Sequence, residues 1–428
     1  MKEPNLNGTL PVIDGIGAER AETPASIAEL SETLKQAGSA GTTMIPVGGG
    51  TKLHIGNPPR SAGLAVRTCR LRGITGYEPD NMTVSALAGT PLEELQDAVR
   101  DNSQFLPLDP PNPESATLGG LVACNTSGPI RFRYGTIRDL LIGIRIVHAD
   151  GTATKAGGKL VKNVTGYDMC KLYTGSLGTL GVFAELTFKL LPTSESLTTM
   201  VLSYPSPEEA LAATRAILGA GLLPDAIETW NSEAFSILTG RSDAPWVVLV
   251  RFGEVEEAVR WQCRRLEEIA PSTRGEILRV SGAEDSERFW RRAASARESD
   301  RQAGTALVKC SVLYRSAAAT ARRIEETGRA LGARASVFCH AGNSVLYGRF
   351  DWAGSVPGGE GLRSHLASLR DHCRAAGGHA VIERVPPGMK SGIDVWGYDA
   401  PALSIMRRIK QEFDPKSLLN PGRFVGGI

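Results

Sequence analysis

The sequence predicts an α+β protein of two or three domains, and three observations carry that expectation. At 428 residues and 45.6 kDa the chain is long enough for more than one hydrophobic core. From about 107 to 192 glycine is dense and apolar runs are short, which reads as strands and tight turns rather than long helices. Beyond Pro192-Thr193-Ser194 the texture changes to strand-like runs alternating with amphipathic helices, which predicts a compact α+β domain with helices on one face of an antiparallel sheet.

The elements follow in order. Segment 24–39 has helical spacing through Ile27, Leu30 and Leu34 and ends near Gly38. Thr42–Val47 is strand-like and Thr83–Ala88 is another strand. Pro91–Arg100 reads as a helix with proline in its first turn. In the second half Thr198–Tyr204 is strand-like, and Ser206 caps a helix running through Leu218. Trp246–Phe252 and Ala306–Tyr314 are strands, each followed by a helix, at Glu254–Ala270 and Ala317–Leu331. Ser336–Phe338 and Val345–Phe350 form a strand pair. Leu403–Phe413 is a last helix before the irregular end Asn420-Pro421-Gly422-Arg423.

Composition narrows the classes of function. Hydrophobic residues make up 42% and charged residues 22%, ordinary for a globular chain, and a net charge of +2 without a basic block argues against nucleic acid. The start, MKEPNLNGTLPVIDG, lacks the apolar core of a secretory signal, and no apolar run approaches the ~18 residues of a spanning helix. Seven cysteines, at 69, 124, 170, 263, 310, 339 and 373, form no CxxC pair. That excludes a zinc knuckle or an iron–sulfur cluster of its own, and a reduced, cytoplasmic protein is expected.

Three glycine-bearing stretches hold the chemistry. "VGGGTK" (47–52) places three residues without Cβ beside a hydroxyl and a lysine, the kind of bare backbone that suits close approach to a phosphate. It fits neither GxGxxG nor the P-loop, because position 53 is leucine and no Gly-Lys-Ser/Thr occurs. "PPNPESATLGGLVACNTSG" (110–128) stiffens an approach with prolines and ends in donors; "TGSLGTLGVFAEL" (174–186) has glycines at 175, 178 and 181. Together they suit a long ligand with a pyrophosphate and a flat ring, a dinucleotide held outside a Rossmann fold.

The ordered series "PVGGGTK", "PNPESATLGGLVACNTSG", "RYGTIRDLLIGIRIVHADG", "VTGYD" and "GSLGTLGV" resembles the PCMH-type FAD-binding domain of the vanillyl-alcohol-oxidase flavoproteins. "HAGNSVLYGRF", "VIERVPP" and the ending "MRRIKQEFDPKSLLNPGRFVGGI" resemble the FAD-binding subunits of bacterial glycolate oxidases within that family. The resemblance implies an FAD-binding domain of two α+β subdomains over 20–194, an α+β (ferredoxin-like) cap domain over 195–380, and a C-terminal segment, 381–428, packing back on the FAD domain. It implies that Val47, Gly48, Gly49, Gly50, Thr51 and Lys52 bind the FAD pyrophosphate. Pro111, Pro113, Ser115, Thr117, Gly119, Gly120, Cys124, Asn125, Thr126 and Ser127 would line the flavin side. Leu177, Gly178, Thr179, Leu180, Gly181 and Val182 would complete the cradle through their backbone. Some members attach flavin through a histidine beside the glycine loop; here Thr51 follows the glycines and His54 comes later, which implies non-covalent FAD.

The departures are in the cap. The family's 2-hydroxy-acid dehydrogenases carry a His-Ala-Gly-Asp-Gly-Asn-x-His motif and a later Gly-Glu-His-Gly that hold a divalent metal. This chain has His340, but Asn343 replaces the aspartate, Tyr347 the second histidine, and Arg384 follows Glu383 where a histidine would stand. No metal is expected, His340 reads as structural, and no catalytic residue is assigned. The glutamate that many relatives carry before Gly178 is Leu177 here. The resemblance implies an oxidoreductase acting on small 2-hydroxy acids beside a sister FAD-linked oxidase subunit and an iron–sulfur subunit, which would bring it to the inner membrane only peripherally. An assembly or electron-relay subunit whose flavin meets no substrate is the alternative.

Overall fold

The computed structural model describes residues 9–159, 166–242, 244–298, 304–354, 356, 358–386, 388–398 and 401–428. The first eight residues, read above for a signal, and the Val164-Thr165 part of the VTGYD motif lie outside them. The chain divides into two compact units. One comprises Met1–Ser127, Gly135–Thr193 and Tyr398–Ile428, the other Gly128–Tyr134 and Ser194–Gly397.

The first unit contains two small α+β layers. In one, the strands Arg20–Glu22, Leu64–Arg67 and Met44–Val47 form a parallel sheet with Leu64–Arg67 in the middle. The helix Ile27–Ser39 starts where Ser26 Oγ accepts the Glu29 N–H. Its apolar stripe, Leu30, Leu34 and Ala37, is buried with Met44, Leu64 and Val66. In the other, five antiparallel strands run in the order Ala153–Gly157, Leu141–Val147, Val182–Lys189, Thr83–Leu87, Ile74–Glu78. The helix Leu92–Arg100 seals this sheet with Leu92, Leu95 and Val99. Among the described residues the helices between 107 and 192 are all short; Leu118–Cys124 is seven residues long.

The second unit is built on an eight-stranded antiparallel sheet. Its order is Glu276–Ser281, Ser196–Tyr204, Trp246–Glu254, Ala226–Asn231, Arg334–His340, Val345–Asp351, Thr305–Ser311, His379–Arg384. Successive strand residues face opposite sides. Met200, Leu202 and Tyr204 join the core that includes the helices Pro207–Gly219, Glu256–Ile269, Ala317–Ala330 and Gly359–Ala375. Thr199, of opposite parity, accepts a hydrogen bond of 2.8 Å from Trp290 Nε1, so the helix Ala283–Ala296 covers the other face. The expected single helical layer is therefore two layers here, and Val247 to Val250 are buried at every position.

The return of the chain to the first unit begins later than the resemblance implies. His379–Arg384 pairs with Thr305–Ser311 as the edge of the second sheet, with Ala380 and Ile382 buried, so residues 381–397 stay with the second unit and Tyr398 starts the return. Among the described residues no helix is long and apolar enough to cross a membrane.

Candidate functional site

The strand Met44–Val47 delivers the chain into Gly48–Gly50, and the geometry of these glycines differs from the expected one. A Cβ on Gly49 would lie 1.7 Å from the Ser115 carbonyl oxygen, and one on Gly48 2.2 Å from Thr117 Oγ1. These two glycines let the first stretch lie directly against the second. Their bareness serves the approach of protein to protein, and only Gly50, at φ +72°, turns the chain in the left-handed region. Thr51 and Lys52 follow in the turn, part-exposed.

The second stretch holds its shape through its own backbone. The N–H groups of Ser115 and Ala116 both donate to Asn112 O, with Asn112 at φ +54°. Thr117 caps the helix Leu118–Cys124, its Oγ1 accepting the Gly120 N–H, and Gly119 is pressed onto Ala88, where a Cβ would come within 2.9 Å. Pro113 O accepts the Glu93 N–H, tying the approach to the first helical turn behind it. Asn125, at φ +48°, ends the helix, leaving Thr126 and Ser127 buried beyond it.

The third stretch hangs from that helix end. Gly175 N–H donates to Val122 O and Leu177 N–H to Ala123 O, both at 2.9 Å. Leu177 has φ +52° and Gly178 φ +69°. The side chains of Leu180 and Val182 are committed to two hydrophobic cores, and Gly181 sits on Ile146. Their main chain is what remains to face a ligand. The three stretches thus form one continuous wall: first on second through the glycines, second on third through the Val122 and Ala123 carbonyls.

The C-terminal segment, expected to pack back on this domain, is a fourth contributor, and sequence reasoning named none of its residues in the site. Met44 N–H donates to Leu418 O and Asn420 N–H to Met44 O, so the tail runs parallel to the strand that feeds the glycine loop. Arg423 Nη2 donates to Leu53 O and Ile55 O, at the loop's exit. Lys410 Nζ, almost fully buried, donates to Thr179 O at 2.8 Å, Leu419 O at 2.9 Å and Asp414 Oδ2 at 2.6 Å. Burial pushes the Lys410 ammonium below its ordinary pKa, and Asp414 offsets part of that. The available signal was the i, i+4 Lys410–Asp414 spacing at the end of the helix Leu403–Phe413, followed by the irregular Asn420-Pro421-Gly422-Arg423.

Three oxygens around this wall, Asn125 Oδ1, Ser176 Oγ and Asn420 Oδ1, are buried with no hydrogen-bond partner in the protein. Buried acceptors of that kind are rare unless something else supplies donors. A cofactor rich in hydroxyl and amide groups, resting on main chain, fits such a wall.

The second unit places His340 in a different setting. Its Nδ1 lies 2.6 Å from Glu228 Oε1, and its Nε2 lies 3.3 Å from Arg297 Nη1. A guanidinium only donates, so Nε2 is the acceptor and Nδ1 carries the proton that goes to Glu228. The other Glu228 oxygen accepts from Trp230 Nε1 at 3.0 Å. Arg297 also stacks over the Tyr347 ring, 4.5 Å from its centroid, and the ring meets His340 edge-on. Burial holds His340 below its ordinary pKa, against the pull of Glu228. Both imidazole nitrogens are engaged, so this histidine offers no lone pair to a metal or a proton. Among the described residues no group of three or more His, Cys, Asp or Glu is placed to hold a metal. Asn343 contributes the turn after His340, its N–H donating to the His340 carbonyl.

Comparison with known proteins gives this geometry its context. The FAD binding domain family matches residues 19–157, and the family described as FAD linked oxidases, C-terminal domain, matches residues 193–378 and 396–424. The chain belongs to the FAD-linked oxidases. FAD is accordingly its cofactor. Residues 158–192, with the third stretch, lie between the two matches. The chain is 26% identical to the glycolate oxidase subunit GlcD of Bacillus subtilis, covering 94% of this chain and 87% of that protein. It is 29% identical to the glycolate oxidase subunit GlcE of Escherichia coli (92% and 96%) and 28% identical to a D-lactate dehydrogenase of Archaeoglobus fulgidus (94% and 90%). Among solved structures, an alkyldihydroxyacetonephosphate synthase superposes with a TM-score of 0.73 at 17% identity, covering 94% of this chain and 77% of that one, a likeness of fold.

Proposed function

We propose that this FAD-linked oxidoreductase is the FAD-binding subunit of a complex that oxidises the CH–OH group of a small 2-hydroxy acid, glycolate being the first candidate, and passes the electrons to partner subunits. The observation that carries the proposal is the wall itself: 47–52, 111–127 and 177–182 are joined into one surface, and beside it Asn125 Oδ1, Ser176 Oγ and Asn420 Oδ1 are buried without a hydrogen-bond partner in the protein. Bound there non-covalently, FAD would accept the hydride from the α-carbon. The chain's part is to hold the cofactor on main chain, with Thr51 where some relatives carry a linking histidine.

The partner subunits we infer are a sister FAD-linked oxidase subunit and an iron–sulfur protein, since relatives named as glycolate oxidase subunits support a multi-chain assembly. Without a CxxC pair this chain has no cluster through which to pass electrons on. Cytoplasmic placement, with contact to the inner membrane through partners, belongs to the same reading.

One observation favours a second reading, in which this flavin relays electrons or serves assembly. His340 is closed off by Glu228 and Arg297, so it supplies no free imidazole for a substrate proton. The deciding experiment purifies the chain alone and with partners, and follows flavin bleaching by glycolate without air. Bleaching of the lone chain supports direct oxidation. Bleaching only in the assembly supports the relay, and no bleaching in either rejects the substrate class.

A further inference from the structure

Leu177 carries a backbone conformation that its own side chain opposes. At φ +52° its Cβ crowds the neighbouring carbonyl, and the next residue, Gly178, is left-handed as well. Left-handed leucines persist only where the surroundings over-determine them. Two hydrogen bonds on its main chain do so here: its N–H donates to Ala123 O, and its carbonyl accepts from Asn420 Nδ2.

Asn420 is well placed to hold that carbonyl. It is 3% exposed, has φ +47°, a conformation asparagine tolerates, and its own N–H is fixed to Met44 O at 2.8 Å. The residue before it, Leu419, is held at its carbonyl by Lys410 Nζ and at its N–H by Asp414 Oδ2. Lys410 reaches the same turn from the other side, through Thr179 O. The tail therefore grips the third stretch at the carbonyls of 177 and 179, on either side of Gly178. The remaining side-chain atom of Asn420, Oδ1, is buried with no protein partner.

We propose that Asn420 is a positioning residue for the cofactor: it tethers Leu177 in the left-handed conformation and so sets the 176–179 turn that lines the FAD. The proposal rests on the reading of 177–182 as part of the FAD wall. No step of chemistry passes through Asn420; its effect is on how tightly and in what turn geometry the cofactor is held.

The test measures FAD affinity of the full-length apoprotein by quenching of flavin fluorescence, with the thermal midpoint of each apoprotein recorded beside it. Asn420→Gly keeps the left-handed backbone and removes the tether, and FAD should bind about tenfold more weakly. Leu177→Gly alone should weaken binding less than Asn420→Gly does, by no more than about threefold, since glycine adopts φ > 0 without strain although the buried side chain is lost. The double variant should recover to within about threefold, because a glycine at 177 no longer depends on the tether. That recovery separates positioning from general loss of packing, which a second glycine would only worsen. Should Asn420→Gly show no cooperative melt, Asn420→Asp takes its place: it is isosteric, tolerates φ > 0, and its carboxylate cannot donate to Leu177 O. Parental affinity in the Asn420 variant, or a double variant as weak as the single, overturns the proposal. Failure of the unaltered chain to bind FAD would instead reject the FAD wall, before any variant is compared.

Discussion

The wall of the first unit, where we propose that FAD binds, and the His340 cluster of the second are built on opposite principles. The wall is main chain: glycines pressed against carbonyls, left-handed turns at Asn112, Asn125 and Leu177, and oxygens left over for a ligand. The cluster is side chain on side chain, with Glu228, His340, Arg297 and Tyr347 drawn from three strands and a helix end and closed on one another. A surface built from backbone stays open to a partner of the right shape. A buried cluster whose imidazole is held at both nitrogens is shut, and the difference teaches that ancestry alone does not keep a site chemically open.

The largest expected effect breaks the wall. Gly49→Leu places a side chain where the Ser115 carbonyl stands 1.7 Å from the Cβ, so the first and second stretches must part. FAD binding should weaken by more than about a hundredfold, read as loss of yellow colour in the purified protein, while His340→Asn should leave the colour intact. Retained colour in Gly49→Leu would mean that contact between the two stretches is dispensable. A second test of the wall is the release of intact FAD on acid denaturation of the wild type; flavin staying with the precipitate would overturn non-covalent binding.

The next effect falls on the cluster and spares the wall. Glu228→Ala leaves the His340 Nδ1–H and Trp230 Nε1–H without acceptors in a buried site. It should lower stability by about 3 kcal/mol, seen as a drop in thermal midpoint, with the FAD dissociation constant of the folded protein unchanged. A change of affinity equal to that of Gly49→Leu would show that the two regions are one site.

How much of this was legible follows from the same contrast. The three stretches stood out in the sequence because glycine and proline mark backbone geometry locally. Part of their reason was not legible, since no local pattern reveals that Gly48 and Gly49 also face Thr117 and Ser115 some 65 residues on. Strands such as Trp246–Glu254 and helices such as Ala317–Ala330 were legible from periodicity; the helix Ala283–Ala296, whose apolar face meets the second side of the sheet, was not. Asn420, Lys410 and Arg423 act through carbonyls brought near by folding, and carbonyls carry no residue identity to read. His340 was singled out as a leftover, but its partners Glu228 and Arg297 lie 112 and 43 positions away.

Acid should sharpen the comparison with a smaller effect. His340 is held below its ordinary pKa near 6.5 by burial, so the unfolded chain binds a proton there that the folded one refuses. Its contribution therefore falls away as pH drops below about 6.5 and is constant above it. The expected outcome is a lower thermal midpoint at pH 5.5 than at 7.5, with the difference reduced in His340→Asn. An unchanged difference would assign the acid sensitivity to other groups.

The smallest expected effect is none. A divalent ion at His340 would need a lone pair on Nε2, and Arg297 already donates there at 3.3 Å, while Nδ1 is spent on Glu228. A metal bound in a carboxylate–histidine arrangement occupies the position this guanidinium holds. An ion at Nε2 would therefore have to displace the Arg297 guanidinium, itself buried against the Tyr347 ring. Dialysis against EDTA should therefore leave the thermal midpoint, the FAD content and the rate of flavin bleaching by any accepted hydroxy acid as they were, and added zinc or manganese should not raise them. A midpoint lowered by chelation and restored by one ion per chain would place a metal in the second unit after all, and the closed cluster would have to be an alternative state of that site.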